Sequence, residues 1–308
     1  MSALMLVWGC AGSESPLELQ AVNLDVVRHF PGERARFIRN ENGYVLVGTS
    51  AALYRGTSFQ QLDELLYPDE VPTLFTAAPD SNGAIAGLGS GSTVFLFTGE
   101  WVDASPSLPS HPDGAPNFFY DIEWIGSRVL VAGNHGTVLF GGADGWVDVG
   151  LGDNATLYAF DNAHGRVVAA GDGVFQTEDI ANGSWETVDG VCAPRIGLVT
   201  AMETNTDVTW YADVRYRDRR DYTTLVRTSS TCDSVIELRA NGRVRGSFST
   251  EEATGFIFLD GRVFLARGND YEVLMLPVMP IGVSLQSQEV WVLWQTEEGA
   301  VLGRVQPR

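Results

Sequence analysis

Apolar residues in this chain come in short bursts. From Val129 to Val149 three runs, Val129–Ala132, Thr137–Phe140 and Trp146–Val149, are separated by Gly133-Asn134-His135-Gly136 and by Gly141-Gly142-Ala143-Asp144-Gly145. Short β-branched and aromatic runs between Gly, Asn and Asp turns predict a meander of strands, not helix. After the first residues no stretch sustains the i, i+3, i+4, i+7 spacing of an amphipathic helix. The unit then recurs. Tyr44–Gly48 leads to Ala52–Tyr54 and Phe59, Gly83–Gly87 to Thr93–Phe97 and Trp101, Arg128–Gly133 to Thr137–Phe140 and Trp146, and Arg166–Gly171 to Val174–Thr177 and Trp185. The closing glycines are 39, 46 and 38 residues apart, and the aromatics 42, 45 and 39. A further candidate strand precedes each unit: Ala35–Arg39, Thr73–Ala77, Tyr120–Ile125 and Thr156–Phe160. Two markers drifting together at roughly 40 residues predict an all-β propeller of four-stranded blades.

The later units diverge. Ile196–Met202, Val208–Val214, Tyr222–Thr228 and Ser234–Leu238 form a fifth blade with a long middle hairpin. Gly255–Leu259, Arg262–Arg267 and Tyr271–Leu276 form a sixth, and Gly282–Leu285, Val290–Trp294 and Ala300–Val305 supply three strands of a seventh. Glu18–Arg28 belongs to no unit and is expected to complete that last blade from the N-terminus, removing an open sheet edge. Seven blades are expected, with six as the alternative; a pair of β-sandwiches fits the regular period less well. One domain over residues 19–308 follows from this reading, after a signal remnant at 1–9 and a tether at 10–18.

Charge narrows the partners. Asp and Glu outnumber basic residues 39 to 20, for a net charge of −19. Such a chain is repelled by nucleic acid and by anionic lipid. All of its basic residues are Arg. His29, His111, His135 and His164 are scattered, and the three cysteines form no CxxC pair, so no metal site is expected. Gly87-Leu88-Gly89-Ser90-Gly91-Ser92 is glycine-rich but opens no helix, and reads as a hairpin turn. There is no nucleophile elbow, P-loop or EF-hand spacing, and neither a catalytic residue nor a cofactor is assigned.

Met1–Ser13 is apolar up to Cys10 and then abruptly small and polar. It resembles the end of a bacterial lipoprotein signal peptide, with Val7-Trp8-Gly9-Cys10 in the place of the lipobox; Trp8 is bulkier than usual there and no basic segment precedes it. The resemblance implies acylation of Cys10 and a lipid anchor in the bacterial envelope. Ala11, where an Asp would retain the protein at the inner membrane, points to the outer membrane, facing the periplasm or the surface. With Cys10 acylated, Cys192 and Cys232 remain as a pair in an oxidising compartment and are expected to form a disulfide.

The middle units resemble sialidase-like (Asp-box) propeller repeats. Thr177-Glu178-Asp179-Ile180-Ala181-Asn182-Gly183-Ser184-Trp185 keeps the Thr, Asp, Gly and Trp of that signature, and Ala143-Asp144-Gly145-Trp146 is a compressed version. Val131–Val138 with Trp146 is similar to the repeats of photosystem-assembly propellers in that superfamily. The Asp box is structural in the family, so the resemblance implies fold, not activity. Of the sialidase Arg-Ile-Pro motif this chain has Arg195-Ile196 followed by Gly197.

The candidate recognition element is the hairpin from Tyr211 to Tyr222. Arg215, Arg217, Arg219 and Arg220 fall within six residues there, interleaved by Tyr216 and followed by Tyr222. Tyr and Arg dominate binding hot spots, and Arg suits carboxylates. Asp213, Asp218 and Asp221 reduce the local charge to four Arg minus three Asp, or +1. The expected function is a monomeric, non-catalytic binding or scaffolding propeller lipoprotein with an envelope protein or glycan as partner. The alternative is a glycan-binding protein or a sialidase-like glycoside hydrolase.

Overall fold

The computed structural model describes residues 19–68, 71, 73–107, 116–152, 155–163, 166–188, 198–205, 208–217, 220–229, 235–250, 253–268 and 270–306. Cys10, Cys192, Cys232 and Arg219 lie outside these, so the acylation and disulfide expectations fall outside the described residues. The fold is an all-β propeller of four-stranded blades. Six blades are each made of four consecutive antiparallel strands.

The first is Ala35–Glu41, Tyr44–Thr49, Ala52–Ser58 and Gln61–Leu66; the second Leu74–Pro79, Ile85–Gly89, Val94–Phe97 and Trp101–Asp103. The third is Phe119–Ile125, Arg128–Gly133, Val138–Gly142 and Gly145–Asp148; the fourth Leu157–Ala163, Arg166–Gly171, Val174–Thr177 and Glu186–Thr187. The fifth is Leu198–Asn205, Val208–Arg217, Arg220–Ser229 and Val235–Asn241; the sixth Val244–Ser249, Thr254–Phe258, Arg262–Arg267 and Asp270–Met275. A composite sheet closes the ring. It takes Pro280–Gln286, Glu289–Gln295 and Gly299–Val305 from the C-terminus and Leu24–Pro31 from the N-terminus as its outermost strand.

Two details differ from the sequence reading. The N-terminal stretch is divided: Leu24–Pro31 closes the composite sheet, but Leu19–Ala21 pairs in parallel with Val273–Met275 as a fifth strand of the sixth blade. The sixth blade also has an innermost strand, Val244–Ser249, that the reading left out. Its run Val-Arg-Gly-Ser-Phe-Ser carries too few apolar residues to stand out by periodicity.

The first strand of each sheet packs on the first strand of the next, and Pro280–Gln286 returns to Ala35–Glu41. The apolar clusters follow this order, each spanning two neighbouring sheets. Leu88, Leu96, Ile122 and Val131 join the second blade to the third, and Val292, Trp294, Val263 and Leu265 join the composite sheet to the sixth. Because both faces are covered, second strands such as Val45–Thr49 and Val129–Gly133 are buried at every position and read as continuous apolar runs. The repeating indoles lie in the wedges. Trp146 Nε1 donates to the Ala104 carbonyl at 2.7 Å, and Trp185 Nε1 to the Val149 carbonyl at 2.6 Å, each tying its blade to the one before. In the Asp-box turn the Asp179 amide donates to Thr177 Oγ1 at 3.2 Å, and Gly183 takes the left-handed conformation that ends the turn (φ 62°).

The marker glycines have a steric cause. A Cβ at Gly48 or Gly87 would overlap the Phe37 ring or the Leu74 side chain of the innermost strand. At Gly133 and Gly171 it would meet backbone, lying 1.9 Å from the Phe118 carbonyl oxygen and 1.8 Å from that of Thr156. The period in the sequence is therefore the record of one close approach, repeated blade by blade.

Candidate functional site

Every innermost strand breaks register near its start. The irregularity falls between Ala35 and Phe37, Leu74 and Thr76, Phe119 and Asp121, Leu157 and Ala159, Val199 and Ala201, Val244 and Gly246, and Pro280 and Gly282. A β-bulge leaves one residue without a cross-strand partner and re-aims its side chain. Six of the skipped residues, Arg36, Phe75, Tyr120, Tyr158, Arg245 and Ile281, line one axial channel of about 1020 Å³. The innermost strands all begin at the same end of the ring, so these residues encircle one mouth. Phe75 and Tyr120 remain 38% and 39% exposed, and the Tyr120 and Tyr158 rings lie 5.0 Å apart across neighbouring blades. Burial, with Tyr120 and Asp172 beside it, raises the Tyr158 phenol above its ordinary range, so it is a neutral donor.

Deeper in the channel the lining is acidic around one cation. Arg39 Nε pairs with Glu41 at 2.9 Å, its Nη2 pairs with Glu123 of the third blade, and its Nη1 donates to the Ala77 carbonyl of the second at 3.4 Å. Asp121 accepts from the Ile122 and Phe160 amides, each at 3.0 Å, which carries the bonding on to the fourth blade. Asp161 lines the same channel. Burial raises Asp121 to about 6 despite the opposing pull of Arg39. The cluster laces four successive blades together at the axis.

A folded pKa raised above the unfolded value means that ionised Asp121 disfavours the fold above pH 6, and that protonation relieves this as pH falls. Stability is expected to rise between pH 7.5 and pH 5 by on the order of 1–3 kcal/mol more in the wild type than in Asp121→Asn. Urea midpoints for both proteins at both pH values measure it, and parallel profiles would show that Asp121 is not the titrating group.

The arginine hairpin points to the same end of the ring. Its strands pair Arg215 with Tyr222, Tyr216 with Asp221 and Arg217 with Arg220. Pairing with the innermost strand stops at Leu198 and Val214, on the bulged side, so residues 215–217 and 220–222 continue past it toward the mouth. The sequence reading found this hairpin and missed the ring. A signal for the ring was present: Arg36, Phe75, Tyr120 and Tyr158 precede the marker glycines Gly48, Gly87, Gly133 and Gly171 by 12 or 13 residues. Neither His29 nor His135 lines the channel. Among the described residues no group of His, Cys, Asp and Glu is placed to hold a metal ion.

No family model matches the chain, and no curated protein sequence does. Solved structures do match in fold. Virginiamycin B lyase from Staphylococcus aureus is similar with a TM-score of 0.66 at 12% identity, over 89% of this chain and 95% of the lyase. YCF48 bound to D1 peptide is similar with a TM-score of 0.58 at 12% identity, over 94% of this chain and all of that one. PorZ, a bacterial surface component of the type-IX secretion system of Porphyromonas gingivalis, is similar with a TM-score of 0.64 at 11% identity, over 92% of this chain and 39% of PorZ. At these identities the likeness is one of fold: the chain is a β-propeller, an architecture shared by a lyase, by a protein bound to D1 peptide and by a secretion-system component.

Proposed function

We propose that this protein is a non-catalytic binding or scaffolding propeller of the bacterial cell envelope, and that the channel mouth ringed by Arg36, Phe75, Tyr120, Tyr158, Arg245 and Ile281 is where it binds. The observation that carries this reading is the bulge repeated at the start of the innermost strands, which turns six side chains to one mouth. Core packing does not account for the aromatic pair Phe75 and Tyr120, which stay more than a third exposed, although Ile281 also packs against the core between the composite sheet and the first blade. Aromatic and Arg side chains displayed together are the composition of binding hot spots. The arginine hairpin of the fifth blade reaches toward the same mouth and widens the surface.

The likeness to YCF48 and PorZ supports a scaffolding role, and the lipobox-like Val7–Cys10 supports attachment to the outer membrane through Cys10. No helix among the described residues is long and apolar enough to cross a membrane. Intact mass of the membrane fraction reads the acyl chains directly; unmodified Cys10 there would remove the anchor. We count the composite sheet as a blade, giving seven; counting only sheets of four consecutive strands gives six.

The second reading, a glycoside hydrolase or lyase, is favoured by Asp121, a buried carboxyl raised toward neutrality, which is the behaviour of a general acid. Against it, the oxygens of Asp121 are occupied by the Phe160 and Ile122 amides, and Arg39 is tied to Glu41 and Glu123. Those bonds describe a lock between blades.

The test is a pull-down from envelope extract with wild type and Tyr120→Ala/Tyr158→Ala. Both side chains are partly exposed, so the variant is expected to keep the wild-type melting temperature within about 2 °C and to lose at least tenfold of the captured partner. A folded variant that captures every partner undiminished would place the site elsewhere.

A further inference from the structure

The channel changes sign along its axis. At the mouth stand Arg36 and Arg245, on the first and sixth blades, with Ile281 of the composite sheet between them. Both residues are exposed. Arg245 donates to the Pro280 carbonyl at 3.3 Å, and neither Arg36 nor Arg245 forms an ion pair with a carboxylate among the described residues. Across the mouth, on the second to fourth blades, stand Phe75, Tyr120 and Tyr158, with the Asp172 carboxylate beside Tyr158 and held by the Thr156 amide at 2.8 Å on the side away from the two arginines' blades. Below this ring come Asp121, then Glu123 and Asp161, with Glu41 further on, and Arg39 is the cation among them. An anion is attracted to the ring and repelled from the interior, so its charge is held at the mouth. That the chain as a whole carries −19 makes two unpaired arginines at this place a local exception.

Resting on the reading of the mouth as the binding site, we infer that the juxtaposition of Arg36 and Arg245 with the Phe75–Tyr120–Tyr158 wall receives the free C-terminal carboxylate of a partner polypeptide whose last side chain is apolar or aromatic. The two guanidinium groups take the carboxylate by charge-assisted hydrogen bonds, for which Arg is the best-suited side chain. The terminal side chain lies between Ile281 and the aromatic wall. A chain end suits this site better than an internal acidic residue, because the ring surrounds an axial opening that one strand enters end-on. A polypeptide also suits it better than an acidic glycan. Sugar hydroxyls need many donors and acceptors, and besides the guanidinium groups the described side chains of the ring offer the hydroxyls of Tyr120 and Tyr158.

The test uses immobilised protein and pooled pentapeptides randomised at their last three positions, made once with free C-termini and once amidated. Bound peptides are read by mass spectrometry. The free-acid pool is expected to be enriched at least tenfold for Phe, Leu, Ile, Tyr or Trp at the last position, the amidated pool is not, and 0.5 M salt removes the enrichment. Arg36→Gln/Arg245→Gln, checked for an unchanged melting curve, is expected to lose it, and Tyr158→Ala to weaken the preference for the last side chain. Equal enrichment from both pools overturns the carboxylate assignment while leaving the mouth as a binding site. No enrichment from either pool, or enrichment that survives in the folded double Gln variant, also overturns it. Stronger retention of a labelled glucuronate oligomer than of any peptide would assign the site to a glycan instead.

Discussion

Deletion of residues 1–31 is expected to leave a chain that no longer folds cooperatively. Leu24–Pro31 is the outermost strand of the composite sheet and pairs with Gly299–Val305 from Leu24–Val305 to Pro31–Gly299. It buries Phe30, 2% exposed, whose ring lies 4.6 Å from that of Tyr54 in the first blade. Arg28 adds a bond to the Leu62 carbonyl at 2.9 Å and lies over the Tyr54 ring. This strand therefore adds to the packing of Pro280–Gln286 and of Trp291, Leu293 and Leu302 on the first blade. Burying a Phe is worth about 2–3 kcal/mol, and each net ladder hydrogen bond about 0.5–1.5 kcal/mol. The loss is on the order of 5–10 kcal/mol, comparable to the whole stability of a typical domain. The deletion also exposes an unpaired edge, which invites aggregation. Among the described residues, deletion of residues 1–23 removes the short parallel strand Leu19–Ala21, the Val22 contact with the core and the Asn23 carbonyl that accepts from Gln306, and is expected to lower the melting temperature by a few degrees. Thermal unfolding followed by near-ultraviolet circular dichroism separates the two. A sharp transition in the shorter chain would mean that the ring does not depend on this closure.

Gly171→Ala and Gly133→Ala should be strongly damaging methyl additions. In each, the new Cβ would sit within 2 Å of a carbonyl oxygen in the segment entering the innermost strand. A backbone carbonyl cannot rotate away, so the strand itself must shift, and both positions lie beside bulges that set the mouth. Overpacking of a rigid core costs about 1–3 kcal/mol, and a clash with backbone belongs at or above that limit. Gly87→Ala meets the end of the Leu74 side chain, which can change rotamer, and is expected to cost less. Urea unfolding of the three variants ranks them. If Gly87→Ala is as damaging as Gly171→Ala, the difference between meeting a side chain and meeting backbone does not set the cost.

The architecture was legible because its causes are local and repeated. Gly48, Gly87, Gly133 and Gly171 mark the close approach of two strands, and Trp146 and Trp185 fill wedges of the same shape. Where the packing need lapsed, so did the signal: Val244–Ser249 carries only Val244 and Phe248 as large apolar residues, and it was missed. The candidate site was legible in part. Clustered arginines at 215–220 stand out in any reading, whereas Arg36, Phe75, Tyr120, Tyr158, Arg245 and Ile281 are each alone in the sequence. They become a group only because the ring brings seven strand starts to one axis and a bulge turns each side chain there. Asp121 and Arg39 were silent for a related reason, since their partners Phe160 and Glu123 stand 39 and 84 residues away.

The proposal that this propeller binds at its bulge-ringed mouth is tested most directly by photo-crosslinking in the native host. A benzophenone amino acid is placed at Tyr158, in the bulge ring, and in a second strain at Ser287, in a turn that lines the opposite end of the channel. The account predicts a discrete adduct band from position 158 that disappears in Arg36→Gln/Arg245→Gln, and none from position 287. Adducts from position 287 alone, or of equal yield from both positions, would contradict it.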